Sequence, residues 1–127
     1  MKNVVLIDDD EVTNFVNTRL VLQSQYVDRV HSIQSAEEAI QYFGEIYSGK
    51  IPAPDLVLID IRMPIIDGFD LMRDILDRYP GLGEKSRFYF LSSSLDPKDE
   101  ARASSVAFCS GFLRKPLSRS NLEEILS

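Results

Sequence analysis

Three short runs of branched and aromatic residues, VVLI (4–7), LVLI (56–59) and FYFL (88–91), constrain this chain more than anything else in it. Each is continuously apolar rather than alternating, so neither face can look into water. A strand of that kind has to be covered on both sides. Two weaker runs fit the same series: GFL (111–113), and VDRVHSI (27–33), whose polar residues suit a sheet edge. Between the runs the apolar period becomes helical. Val12, Phe15, Val16 and Leu20 form one stripe, and Ala36, Ala39, Ile40, Phe43 and Tyr47 a second, behind the capping box Ser35-x-x-Glu38. Phe69, Met72, Ile75, Leu76 and Tyr79 form a third, stopped by Pro80-Gly81. Asp96-Pro97 supplies a cap and first residue for a short, weakly apolar helix over 97–106. Ser118 caps a last helix carrying Leu122, Ile125 and Leu126.

Strand and helix alternating five times predict βαβ units: an α/β, doubly wound fold with a parallel sheet between two helical layers. The stretch GEIYSGKIPAP (44–54) reads as a long connection from helix to strand. No repeat, low-complexity tract or linker interrupts the pattern, so a single domain over 1–127 is expected, with no output domain.

The net charge of −6 argues against a general nucleic-acid binder and against an anionic membrane surface. No apolar run approaches the roughly 18 residues of a membrane span. The opening MKNVVLIDDD turns acidic at once, without a signal-peptide pattern, so the expected location is cytoplasmic. The single cysteine, Cys109, excludes an internal disulfide and a multi-cysteine zinc site and is expected to be a small buried apolar residue.

Ligands of open parallel sheets bind beyond the carboxyl ends of the strands. At those ends this chain places Asp8, Asp9 and Asp10, then Asp60, then Ser92, Ser93 and Ser94, and finally Lys115. Any one of these could simply start a loop. Together they describe a site of concentrated negative charge, one fixed cation and at least one hydroxyl. Carboxylate oxygens without soft ligands suit a hard divalent ion, Mg²⁺ before Zn²⁺, and a lysine opposite would neutralise phosphoryl charge. A nucleotide cradle is missing: neither G-x-x-x-x-G-K-[ST] nor G-x-G-x-x-G occurs. Asp10 and Glu11 read as first-turn helix acids, and His31 as a strand surface residue.

The stretch PDLVLIDIRMPIIDGFDLM (54–72) carries the pattern D-x-x-M-P-x-x-D-G as Asp60, Met63, Pro64, Asp67 and Gly68. With the acids after the first run, serine after the fourth strand and Lys115-Pro116 after the fifth, the chain from Val4 to Leu126 resembles a receiver domain of two-component response regulators. The resemblance implies a flavodoxin-like (βα)5 sandwich with strand order 2-1-3-4-5. It implies that Asp60 accepts a phosphoryl group from the phosphohistidine of a sensor histidine kinase or phosphotransfer protein. Asp9 and Asp60 would bind Mg²⁺ (or Mn²⁺) directly, Asp8 through water, and Arg62 through its backbone carbonyl. Lys115 would pair with phosphoryl oxygens, Ser92 would hydrogen-bond one, and Phe112 would be a switching aromatic. The resemblance implies a switch rather than an enzyme, assisting its own phosphorylation and dephosphorylation. It would signal to a downstream protein through the face of helix 4, strand 5 and helix 5. Asp67 and Gly68 would serve the turn and cap, and Pro116 would follow a cis bond. Ser92 stands where threonine is commoner and Ser93 where alanine is frequent. Arg62 puts a cation near the mouth of the site, and AFCSG (107–111) replaces the usual glycine-alanine phrase.

Two other readings stay open at this point. Asp8-x-Asp10-x-Val12 matches the D-x-D-x-[TV] box of haloacid-dehalogenase-like phosphatases, although only Glu123 and Glu124 follow the lysine as candidates for their later acidic motif. A degenerate receiver acting only as a binding module is the other.

Overall fold

The continuously apolar runs become the strands of one sheet, and the computed structural model describes residues 2–93, 97–105 and 109–126, the side chains of 103 and 104 excepted. The strands are β1 (Lys2–Ile7), β2 (Val27–Ile33), β3 (Leu56–Asp60), β4 (Arg87–Ser92) and β5 (Cys109–Arg114). All neighbours pair in parallel, in the order β2-β1-β3-β4-β5. The helices are α1 (Glu11–Leu22), α2 (Ala36–Tyr47), α3 (Gly68–Arg78), α4 (Pro97–Ser105) and α5 (Arg119–Leu126), with a 3-10 turn at Leu82–Glu84. This is the doubly wound, flavodoxin-like sandwich that the alternation and the family resemblance imply.

Alternate residues of each strand feed two cores. On one face Val5, Ile7, Val57, Ile59, Phe88 and Phe90 pack against Ala39, Phe43 and Ile46 of α2 and Phe69, Met72 and Ile75 of α3. On the other, Val4, Leu6, Leu56, Leu58 and Leu91 meet Val21 of α1 and Leu122 and Leu126 of α5. Every residue of β3 is buried, which is why its sequence shows no alternation. Burying one such Leu or Ile is worth about 1.5–3 kcal/mol, so the central strand is the least movable element.

The caps fall where the sequence places them. Ser35 Oγ accepts from Glu38 N–H at 3.1 Å, and Ser118 Oγ accepts from Asn121 N–H at 3.1 Å. Asp67 caps α3 by accepting from Asp70 N–H at 2.9 Å. α4 begins at Pro97 as expected, while its expected cap Asp96 and its expected last residue, 106, lie outside the described residues, as does Ser94. The Lys115-Pro116 bond is cis. His31 is exposed on the edge strand β2 and stacks on Tyr42 at 5.0 Å between ring centroids. α2 continues through Tyr47, so the connection expected at 44–54 starts only after it.

The stripe of α1 does not face the core. Val12, Phe15 and Val16 are 68, 60 and 55% exposed, while Asn14, Asn17 and Val21 are buried and Leu20 is half-buried. The reason is polar. The carbonyls of Asp8 and Ile33, at the ends of β1 and β2, lie beneath the helix. Asn14 Nδ2 donates to both, at 2.8 and 3.2 Å. A valine there would remove the amide from the Asp8 carbonyl, at a cost of about 1–3 kcal/mol, and leave the Ile33 carbonyl with Asp8 N–H alone. Cys109 is likewise half-buried rather than buried, because it opens the edge strand β5. Phe15→Ser and Val16→Ser are therefore expected to change stability by no more than about 0.5 kcal/mol. Val21→Ala, at a fully buried position, should cost roughly 1–3 kcal/mol in urea unfolding.

Candidate functional site

The site lies where β1, β3, β4 and β5 release their chains. Backbone hydrogen bonds carry the sheet pairing one residue past the strands. Asp8 N–H donates to Ile33 O at 3.0 Å, Ile61 N–H to Leu91 O at 3.0 Å, and Lys115 N–H to Ser92 O at 2.7 Å. These bonds fix Asp8, Asp60, Ser92 and Lys115 on one rim before any side chain interacts.

Ligand oxygens of Asp8, Asp9 and Asp60 all lie within 4.8 Å of one another. Asp8 and Asp60 are buried and Asp9 is exposed, so the cluster has two walls and an open side. Lys115 Nζ bridges the buried pair, 2.8 Å from Asp8 Oδ2 and 3.0 Å from Asp60 Oδ1. The remaining Asp8 oxygen accepts from Asp10 N–H at 3.0 Å. Burial pushes the Asp60 carboxyl above its usual value; Lys115 offsets part of that, and the neighbouring charge of Asp8 adds to it. For Lys115, burial works against the charge, but the hydrogen bonds to Asp8 and Asp60 prevail and hold the ammonium above its ordinary value. The donors are carboxylate oxygens of convergent geometry with no sulfur or imidazole among them, a set that fits a hard divalent cation.

Asp10, one residue on, faces elsewhere. It is the exposed cap of α1, lowered in pKa by the Thr13 hydroxyl and by Val12 N–H. That leaves the Asp8-x-Asp10 phosphatase box without its second acid at the cluster, and Asp10 as the helix-starting acid the sequence suggests.

Of the other expected residues, Ser92 is fully buried at the end of β4, and Phe112 is half-buried on β5, packed against the core beneath α2 and α3. The Arg62 guanidinium does not reach into the mouth of the site; it pairs with Asp99 of α4 at 2.8 Å. Gly68 is the close approach that joins α3 to the site. Its N–H donates to Ile61 O at 2.9 Å, and a Cβ there would collide with the Asp60 carbonyl oxygen.

Between Met63 and Asp67 the chain makes a three-residue turn, with Ile66 N–H donating to Pro64 O at 2.8 Å and Ile65 at φ 73°. This hand of γ-turn is rare and strained, and a β-branched residue carries it poorly. Ile65 is nonetheless fully exposed, lining with Asp9, Ser35 and Met63 a hollow of ≈ 230 Å³. On the opposite side Lys115, Pro116 and Ser93 line a second hollow with Val12, Thr13 and Val16 of α1.

Sequence reasoning missed Asn14 and Asp99. Asn14 holds the Asp8 carbonyl under α1, and Asp99 is buried on α4 with Arg62. A polar residue opposite an apolar helix stripe was the available signal for Asn14. Nothing local marks Asp99.

Residues 4–127 match the family model described as response regulator receiver domain. The chain is 31% identical over 127 residues to the two-component response regulator ORR41 of Oryza sativa subsp. japonica, covering 100% of this chain and 93% of that protein. It is 32% identical over 119 residues to protein-glutamate methylesterase/protein-glutamine glutaminase 2 of Methanospirillum hungatei, where it covers 91% of this chain but spans only 31% of the relative. Among solved structures, a two component response regulator from Cytophaga hutchinsonii superposes with a TM-score of 0.86 at 34% identity, covering 98% of this chain and 95% of that one.

Two outcomes follow from the site's strain and charge. Ile65→Gly should stabilise the protein by about 1 kcal/mol by relieving the positive φ. Asp60 has a raised folded-state pKa, so its share of stability is full below the ordinary value and lost as pH rises through the raised one. Urea unfolding of the metal-free protein should therefore show Asp60→Asn gaining on the wild type as pH climbs from the acid side toward neutrality.

Proposed function

Because the chain belongs to the response regulator receiver domain family, we propose that it is a phosphorylation switch whose acceptor is Asp60. The observation that carries this reading is the bridging of Asp8 and Asp60 by Lys115 beside the exposed Asp9. An aspartate nucleophile is here paired with one cation and left open on one side to a donor.

In this reading an Asp60 carboxylate oxygen attacks the phosphorus of a phosphohistidine. The new O–P bond forms as the P–N bond breaks, and the imidazole nitrogen leaves with the electron pair. Phosphoryl transfer demands positioning and charge neutralisation more than covalent chemistry from the protein. Lys115, already 3.0 Å from Asp60 Oδ1, is placed to follow the arriving oxygens as a point charge. Ser92 supplies a hydroxyl from the end of β4, and Phe112 responds on β5. Mg²⁺ (or Mn²⁺), held by Asp9, Asp60, the Arg62 carbonyl and, through water, Asp8, supplies further neutralisation of carboxylate and phosphoryl charge when bound. The protein assists its own phosphorylation and dephosphorylation but turns over no separate substrate.

The donor is a sensor histidine kinase or a phosphotransfer protein, and the output, through α4, β5 and α5, is contact with another protein. A donor reaching Asp60 would cross the rim where α1 exposes Val12 and Val16 beside Lys115 and Pro116, with Phe15 exposed on the same helix, and that apolar patch is what it would cover. Among the described residues no helix is long and apolar enough to cross a membrane. A cytoplasmic location without nucleic-acid or membrane partners belongs to the same proposal, supported by the net charge of −6.

Acetyl phosphate with Mg²⁺ tests the reading. Intact mass should show one phosphoryl group per chain, none on Asp60→Asn, and on the order of tenfold weaker metal dependence on Asp9→Asn. Labelling that survives Asp60→Asn would overturn the assignment. Phosphomonoester turnover lost on Asp8→Asn but not on Asp60→Asn would point to the phosphatase, and no labelling at all to a binding module.

A further inference from the structure

Among the described residues, helix α4 is tied to its neighbours by charge. Its buried described side chain is a carboxylate, Asp99, 6% exposed, and the partner of that carboxylate is the 62% exposed side chain of Arg62 at 2.8 Å. One turn on, Arg102 reaches Asp67 at 3.2 Å and Asp70 at 3.6 Å, with its guanidinium 4.4 Å from the centre of the Phe69 ring. Two arginine–aspartate straps thus tie α4 to the β3–α3 loop and the start of α3.

The first strap has a consequence for the carboxylate cluster. Arg62 stands two residues after Asp60 on a long, flexible side chain that is always charged. Three carboxylates within 4.8 Å of one another form the strongest nearby attraction for such a cation, and Lys115 alone does not neutralise them. Asp9, exposed, is the member a free guanidinium could reach from solvent. The position of Asp99 decides which carboxylate the guanidinium takes.

We propose that Asp99 is a positioning residue that holds the Arg62 guanidinium away from Asp9 and Asp60, and so keeps the cluster available to a divalent cation. The inference rests on the proposed metal site. Without Asp99, Arg62 folds back onto the cluster, and an incoming cation has to displace it. The effect is on the scale of a partly exposed ion pair, about two- to fivefold in metal affinity. The coupling is reciprocal: a cation that occupies the cluster repels the guanidinium and strengthens its hold on α4.

The test is calorimetric titration of Mg²⁺ alone into the wild type, Asp99→Asn, Arg62→Gln and the double variant. Asp99→Asn should bind about two- to fivefold more weakly, Arg62→Gln should bind more tightly, and Asp99→Asn should cost nothing further in the Arg62→Gln background. An equal loss in both backgrounds would show Asp99 acting through its own charge and overturn the proposal, as would no loss at all. Carboxyl ¹³C shifts of the metal-free proteins provide the second readout. Asp9 and Asp60 should respond in Asp99→Asn and return in the double variant. If the wild type binds no Mg²⁺, the metal reading fails, while these shifts still decide where the guanidinium goes. Thermal melts of all four confirm that they are folded.

Discussion

Lys115 stands between Asp8 and Asp60, 2.8 and 3.0 Å from their oxygens, and joins the ends of β5, β1 and β3 across the rim of the sheet. Two buried carboxylates side by side repel and are poorly solvated, so a fold that brings them together has to bring a cation with them. The surrounding structure serves that arrangement. β3 is buried along its whole length and cannot shift Asp60. Asn14 ties the ends of β1 and β2 beneath α1, which holds Asp8 in place. Gly68 lets α3 start against the backbone of Asp60. What the lysine leaves uncompensated, three acids against one ammonium, is negative charge that a divalent cation would balance.

The two sides of the rim are built from different forces. α2 and α3 press Phe43, Phe69, Met72 and Ile75 into the core, contacts that salt does not weaken. α4 instead presents arginine and aspartate to its neighbours. Partly exposed ion pairs are screened by salt and contribute little each, so among the described contacts those of α4 are the ones salt weakens. Under the proposed phosphorylation, charge added at Asp60 would act on a rim packed by apolar side chains toward α2 and α3 and tied by ion pairs toward α4.

Much of this was legible in the residues. VVLI, LVLI and FYFL could only be strands covered on both faces, and the caps Ser35, Asp67 and Ser118 mark where three helices begin. The polar residues at the strand ends and the pattern from Asp60 to Gly68 pointed to the site. The failures share one cause. The stripe Val12, Phe15 and Val16 looks like a core face, but α1 turns Asn14 inward, where its amide donates to carbonyls at the ends of two different strands. Cys109 reads as buried by type, yet its exposure depends on β5 being an edge.

The sequence by itself determined that the chain alternates strand and helix, and that each central strand ends in a polar residue. Those are local properties: the length and composition of an apolar run, and the residue that follows it. Only the tertiary structure decided which carboxylates share Lys115, which leaves Asp10 to cap a helix, and that Arg62 turns to Asp99. These partners are up to 107 residues apart, and their distances follow from strand order and helix rotation, which no local pattern encodes.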